Sequence, residues 1–278
     1  MYRIIVDGDA DIPPELYGKI VYVPQYVIYE GQSYKATRDL ISERLQDMLI
    51  PSKISTSMPS AGDFIEGLKK LEYPAIAIHV SSGISSAYKA LNTAAETLGV
   101  KDKLYIFDTL TAAAGIGNYV YAAYTLLEKG MKVSEVYRIL VEIQKKGKVQ
   151  TLGLVGDARF AAHGGRVSGL AAAAANALRF QVIVSPDEKG VLRVVYKAFG
   201  RKKALRYIIK WAKELITGYD RPVVGISHAW CEKDAHFVLE ELLGTGKVAY
   251  HFLTYVNPTL VAHGGKGTMS ISVMDFNY

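Results

Sequence analysis

The 278-residue chain has a single cysteine, Cys231, so no internal disulfide can close and no cysteine-rich zinc site can form. That scarcity fits a reducing compartment, the cytoplasm. The N-terminus, Met1-Tyr2-Arg3-Ile4-Ile5-Val6-Asp7, lacks a basic stretch leading into an apolar one, so no secretory leader is expected. Also missing is any apolar run of the ~20 residues that a bilayer-spanning helix needs. The longest soft run, Gly169 to Leu178, is mostly alanine. The common catalytic signatures are absent: no His-Glu-x-x-His pair, no Gly-x-Ser-x-Gly elbow, no Gly-x-x-x-x-Gly-Lys-Ser/Thr loop. Ala114-Gly115-Ile116-Gly117 is only a fragment of a dinucleotide fingerprint. The acidic turn Asp7-Gly8-Asp9-Ala10-Asp11 is no EF-hand, because its twelfth position is Gly18 where a Glu is required. Turn chemistry accounts for it, with Asp7 placed at a strand end where it can face a cleft.

What is present is an ordinary globular composition, 50% hydrophobic and 22% charged. The net charge of +6 is spread along the chain rather than gathered on one element, which argues against a nucleic-acid partner. Strand-like runs at Arg3–Val6, Ile20–Tyr29, Ala75–Val80 and Leu104–Phe107 alternate with helical patterns at Ile41–Leu49, Ser60–Leu71, Ser85–Thr97 and Thr111–Leu127. Ser60 and Asp63 have capping-box spacing. Ser134 is expected to cap a further helix that ends in Lys145-Lys146-Gly147-Lys148. Alternation of this kind predicts a parallel sheet covered on both faces. The second half differs. Val182–Val184 and Val191–Val195 flank the turn Pro186-Asp187-Glu188-Lys189-Gly190 and read as a hairpin. The fold class is therefore α/β with two domains. Residues 1–148 form an N-terminal three-layer α/β domain with a mostly parallel sheet, and residues 149–278 a C-terminal α/β domain with a mixed sheet.

Four clusters sit beside predicted strand or helix ends: Ser55-Thr56-Ser57-Met58-Pro59-Ser60, Ser81-Ser82-Gly83-Ile84-Ser85-Ser86, His163-Gly164-Gly165-Arg166 and His263-Gly264-Gly265-Lys266-Gly267-Thr268. Hydroxyls and free N–H groups at strand C-ends and helix N-termini suit an anion. The same serines equally serve as caps and turn formers. His79 and His251 lie in apolar runs and read as packed core positions. Asp108, at a strand end, is either a base or a helix cap. Ala162-His163-Gly164-Gly165-Arg166 echoes Ala262-His263-Gly264-Gly265-Lys266, a similarity short enough to be chance. The alanines Ala171 to Ala175 mark either close backbone packing or room for a slender guest.

In order along the chain, these segments resemble the DegV family of bacterial lipid-binding proteins. Val6-Asp7-Gly8-Asp9-Ala10-Asp11-Ile12-Pro13 is similar to the family's Val-Asp-Ser-Thr-Ala-Asp-Ile-Pro opening. The first cluster resembles Thr-Ser-Gln-Pro-Ser, and Ser81 to Tyr88 resembles Ser-Ser-x-Leu-Ser-Gly-Thr-Tyr. Phe107-Asp108-Thr109 resembles a Val-Asp-Ser/Thr element. The two histidine loops resemble Lys-Gly-Gly-Arg-Ile and His-x-Gly-Pro-Gly-Thr.

The resemblance implies two α/β domains holding a long-chain fatty acid, with no cofactor beyond that ligand. It implies ligand-binding positions at Thr56, Ser57, Ser85, His263, Gly264 and Arg166, where Thr56 and Ser85 hydrogen-bond the carboxylate. It also implies a separate ATP-dependent kinase subunit that phosphorylates the bound acid, with Arg166 and Arg201-Lys202-Lys203 near the head group or the docking face. At most peripheral membrane contact is expected. This chain departs from the pattern at Met58, Ser86, Ala87, Phe199 and Lys266, which puts the kinase-facing surface in question. The alternative is a small-molecule enzyme using Asp108 or His263 as acid/base in an inter-domain cleft.

Overall fold

A computed structural model describes residues 2–168 and 180–278. The alanine run and the helical pattern expected over residues 168–179 lie outside the described residues, apart from Ser168. A parallel four-stranded sheet has the order β2-β1-β6-β7, with β1 Tyr2–Asp7, β2 Val21–Val23, β6 Leu71–His79 and β7 Leu104–Asp108. A small antiparallel sheet is formed by β3 Tyr26–Tyr29, β4 Gln32–Lys35 and β5 Ile54–Ser57, with β3 in the middle. The single strand expected over Ile20–Tyr29 is thus two strands in two sheets. They are broken at Pro24-Gln25, where proline has no N–H to give a ladder.

The second half builds a seven-stranded mixed sheet, β13-β12-β14-β8-β10-β11-β9. Its strands are β8 Val149–Val155, β9 Val167–Ser168, β10 Phe180–Pro186, β11 Leu192–Phe199, β12 Pro222–His228, β13 Tyr250–Tyr255 and β14 Met269–Asp275. The expected hairpin is β10–β11. Its turn is closed by the Asp187 carboxylate, which accepts the Lys189 and Val191 N–H groups, both at 2.9 Å.

The helices are α1 Arg38–Glu43, α2 Ala61–Leu68, α3 Ala87–Thr97, α4 Ala114–Glu128, α5 Val133–Lys145, α6 Ala158–Gly164, α7 Arg201–Gly218, α8 Glu232–Leu243 and α9 Pro258–Gly264. The capping box on α2 is present: Ser60 Oγ accepts the Asp63 N–H (3.1 Å) and Asp63 Oδ2 accepts the Ser60 N–H (2.8 Å). Ser134 does not cap α5. The helix starts at Val133, two residues earlier than that cap would give, and Glu135 accepts the Lys132 N–H at 3.1 Å. The helix expected over Ile41–Leu49 is displaced to α1 and gives way to turns.

Helix α4 lies between the parallel sheet and the mixed sheet, and one apolar core joins Ile4, Ile78, Phe107 and Tyr119 to Val223, Met274 and Phe276 of the second half. The glycines of the fingerprint fragment serve this packing. A Cβ at Gly117 would meet Asp11 O at 2.2 Å and Phe252 Cζ at 2.7 Å. His79 is buried as expected, its Nδ1 2.7 Å from Val80 O. His251 is not a core residue. It is exposed on β13, the edge strand of the mixed sheet. None of the described helices is long and apolar enough to cross a membrane.

Candidate functional site

Helices α6 and α9 pack against each other, and they repeat one local design. Each has seven residues, follows a strand, and starts at a side-chain cap. Asp157 accepts the Arg159 N–H and Asn257 accepts the Thr259 N–H, both at 2.9 Å. Each ends in His-Gly. The echo between Ala162–Arg166 and Ala262–Lys266 thus falls at the ends of two helices that share a strand–cap–helix layout. The two histidines diverge in setting: His163 is exposed, whereas His263 is turned into the protein. Gly164 makes room for it, since a Cβ there would lie 2.3 Å from His263 Nδ1.

His263 Nε2 lies 2.8 Å from Thr56 Oγ1 on β5. Burial, helped by the Arg166 guanidinium and His163, pushes the His263 imidazole down to about 4, so it is neutral at pH 7. The sign of the stability effect follows. The unfolded chain binds a proton at this imidazole below about pH 6.5 and the folded chain does not until about pH 4, so this group makes stability fall as pH drops through that window. The expected size is about 3 kcal/mol at full extent. Urea unfolding of the wild type and His263→Gln at about pH 7 and about pH 4.5 checks it: the variant should lose clearly less on acidification.

Thr56 and His263 open on a cavity of about 330 Å³ lined also by Asp9, Gln25, Met58, Ile84, Ser85, Ser86, Arg166 and Leu260. The first and second clusters meet across its mouth, where Ser86 Oγ donates to Met58 Sδ at 3.4 Å. Ser85 Oγ accepts the Ala87 N–H (3.2 Å) at the start of α3, so it serves as a turn former and keeps its own proton for another partner. Arg166 is exposed and donates to Gly164 O at 2.6 Å.

A second cavity of about 100 Å³ adjoins the first and shares Ala161, Val167, Leu192, Leu260 and His263 with it. Its other walls include Leu154, Val155, Val184, Val256 and Met269. Gly264 belongs to this inner chamber. Ser57 lines neither cavity; it is exposed and donates to Met58 O at 3.2 Å. Asp108 is also outside both: its Oδ1 accepts the Ser82 and Leu110 N–H groups at 3.2 and 3.1 Å.

The sequence reading missed Asp9, Gln25 and Thr259. Asp9 is only 8% exposed and Thr259 1%, and they are joined by a 2.6 Å hydrogen bond. The neighbouring Asp11 is buried too, and burial pushes its carboxyl up to about 7 although Ser227 Oγ and the Asn257 N–H donate to it. The only signal in the sequence was the acidic turn, which reads identically whether its carboxyls are solvated or buried. Among the described residues no three His, Cys, Asp or Glu side chains converge to hold a metal ion.

Residues 1–275 match the family described as "Uncharacterised protein, DegV family". A fatty acid-binding protein of Thermotoga maritima is 27% identical over 284 residues, with 98% of this chain and 96% of that protein covered. The crystal structure of a DegV lipid-binding protein from the same organism shares 26% identity at a TM-score of 0.85, over 99% of this chain and 98% of that one. The B3 protein of Streptococcus pneumoniae fatty acid kinase, solved with linoleic acid, has a TM-score of 0.85 at 17% identity over 99% of both chains, a likeness of fold. Matched over nearly its whole length in sequence and in two-domain α/β architecture, the chain belongs to the DegV family.

Proposed function

We propose that this protein binds a long-chain fatty acid, with the carboxylate in the polar cavity against the Thr56 and Ser85 hydroxyls and the tail in the apolar chamber behind His263. The observation that supports this reading is the junction itself: a cavity with two hydroxyls in its wall lies against an apolar chamber, and five residues line both. The names of the Thermotoga maritima relative and structure, which describe fatty acid and lipid binding, point the same way.

The tail supplies most of the affinity. All fourteen methylenes of a sixteen-carbon acid would be worth roughly 11 kcal/mol gross at ~0.8 kcal/mol each, of which the chamber of about 100 Å³ supplies the part nearest the head group. Lost freedom and ordering take back several kcal/mol, which leaves binding in the micromolar range or tighter. Hydrogen bonds to the charged head add about 1.5–3 kcal/mol each. For Thr56 to donate to an anion, its proton must not be spent on His263. The neutral imidazole carrying its hydrogen on Nε2 meets this condition: it donates to Thr56 Oγ1 and leaves the hydroxyl proton for the ligand. Neutral donors also leave the carboxylate oxygens more nucleophilic than a bidentate guanidinium would. That suits a role in which this chain, itself non-catalytic, presents the acid to a separate kinase subunit for acyl-phosphate formation in the cytoplasm. Asp108 as an acid/base has no place in this reading, because its carboxylate is engaged by two backbone N–H groups away from the cavity.

Denaturing the purified protein, extracting it with organic solvent and weighing what is released tests the proposal. A long-chain fatty acid is expected. Release of no lipid, together with failure to bind added palmitate, would overturn it. Thr56→Val removes one head-group donor and leaves the chamber intact, so affinity should fall about tenfold, while a head-group-labelled ligand loses order more strongly. Complete loss of lipid from this variant contradicts the assignment of energy to the tail.

A further inference from the structure

The Asp9 carboxyl sits in a hydrogen-bond chain whose protons can be counted. The Tyr22 hydroxyl donates to Gly8 O at 2.9 Å, so its proton is spent. The Asn257 Nδ2 amide donates to the Tyr22 oxygen, and Asn257 Oδ1 accepts the Thr259 N–H at 2.9 Å. These two contacts orient the Asn257 amide unambiguously, with its oxygen toward Thr259. Thr259 Oγ1 then lies 2.6 Å from Asn257 Oδ1 and also 2.6 Å from Asp9 Oδ1. A threonine hydroxyl has one proton and there are two contacts to fill. Asn257 Oδ1 has no hydrogen to offer. If Thr259 donates to Asp9, two bare oxygens face each other at 2.6 Å; if it donates to Asn257, Asp9 must carry the hydrogen for the other contact. The second arrangement satisfies every atom. Asp9 Oδ2 meanwhile accepts Gln25 Nε2 at 2.6 Å, as the carbonyl oxygen of a neutral acid does.

The same carboxyl lines the head-group cavity with Thr56, Ser85 and His263. We infer that Asp9 is held as a neutral acid donating to Thr259, and that this neutrality is what lets the cavity accept an anionic head group. Binding of a carboxylate ligand is thereby linked to a proton taken up from solvent on Asp9. The first half of this inference stands on the hydrogen-bond chain alone; the second rests on the fatty acid reading above.

The groups facing Asp9 are Asp7 at the end of β1, Asp11 on its own loop, Tyr22 from β2, Arg166 after α6 and His263 from α9. Two carboxyls flank it, His263 is neutral, and Arg166 is the one cation among these five. Burial raises the Asp9 carboxyl above its ordinary range, against the pull of Thr259, Gln25 and Arg166. With Asp9 ionised, a bound carboxylate would share its cavity with a like charge, which is the costly arrangement for two carboxyls.

Asp9→Asn keeps the bonding pattern of the neutral acid: Nδ2 donates to Thr259 Oγ1 and Oδ1 accepts from Gln25. Infrared difference spectra between wild type and Asp9→Asn, taken on ligand-free protein at about pH 7, decide the proton assignment whether or not the chain takes a lipid. A protonated carboxyl stretch present only in the wild type supports it; carboxylate bands in its place overturn it. Palmitate affinity, measured for both proteins between about pH 6 and about pH 9, decides the linkage. The ratio of wild-type to variant Kd cancels the titration of palmitate itself. It should rise by about tenfold per pH unit once Asp9 begins to ionise. A ratio that stays flat through the pH at which the infrared carboxyl band of the wild type is lost overturns the linkage. Should Asp9→Asn not fold, calorimetry of wild-type palmitate binding in two buffers of different ionisation heat reads the same quantity: uptake approaching one proton per site at the alkaline end supports the linkage, and zero uptake overturns it.

Discussion

Replacing Ala161 by Phe is expected to lower palmitate affinity more than a hundredfold while leaving the head-group donors in place. Ala161 is 4% exposed, lies on α6, and belongs to the walls of both the polar cavity and the apolar chamber. A benzyl group there would intrude on the wall common to both, and the apolar chamber is only about 100 Å³. Keeping even four methylenes out of an apolar wall forfeits about 3 kcal/mol at ~0.8 kcal/mol each, a factor of more than a hundred in Kd. The overpacked site also costs about 1–3 kcal/mol of folding stability, so the variant is to be assayed well below its own unfolding temperature. Wild-type palmitate affinity in Ala161→Phe would mean that the tail takes another route and that the chamber is not its berth. The comparison with Thr56→Val is the informative one: the tail variant should lose far more than the head-group variant if apolar burial dominates.

Gly190→Ala should destabilise the fold by about 3–5 kcal/mol, although it adds one methyl in a turn. Gly190 closes the β10–β11 hairpin at φ +72°, in the left-handed region that disfavours a side chain. A Cβ there would fall 1.9 Å from Ser81 Oγ and 3.0 Å from Leu110 Cα. Ser81 is fully buried and donates to Gly190 O at 2.8 Å, so the clash falls on a hydrogen bond that ties the second half's hairpin to the loop after β6. That loop carries Ser85, so displaced Ser81 should disturb the head-group cavity as well. Gly200 supplies the control. It has φ +81° and ψ 153°, an extended conformation that is essentially glycine's alone, with no atom within 4 Å of an added Cβ, so Gly200→Ala should cost only the conformational part, about 1–3 kcal/mol. Denaturant midpoints of the two variants separate the contributions. Equal losses would show that the Ser81 contact carries no stability of its own.

Much of the local structure was legible because it depends on near neighbours. The Ser60–Asp63 capping box, the hairpin turned at Asp187 and the alternation that makes the parallel sheet all involve residues within a few positions of one another. Failures came where a distant contact won. Pro24-Gln25 splits an apparently continuous strand, and its second part pairs in a different sheet. His251 sits in an apolar run yet falls on an edge strand, which no local pattern reveals. The Ala-His-Gly-Gly echo was too short to weigh until both copies were seen on seven-residue helices with a side-chain N-cap, although the glycines that follow differ, Gly165 at ψ 7° and Gly265 at ψ 177°.

The motifs by themselves determined which residues were candidates to meet an anion: Thr56, Ser85 and His263, each in a polar cluster beside the end of an element. Only the tertiary structure decided that they share a cavity with Asp9 and Gln25, and that Ser57 and Asp108 stand outside it. Charge state belongs to this second kind of knowledge. Whether an aspartate is an anion or an acid depends on how much water it has lost and how many donors it meets. For Asp9 the donor is Gln25 and the acceptor is Thr259, 250 positions away in the chain, with further walls from the loop around His263.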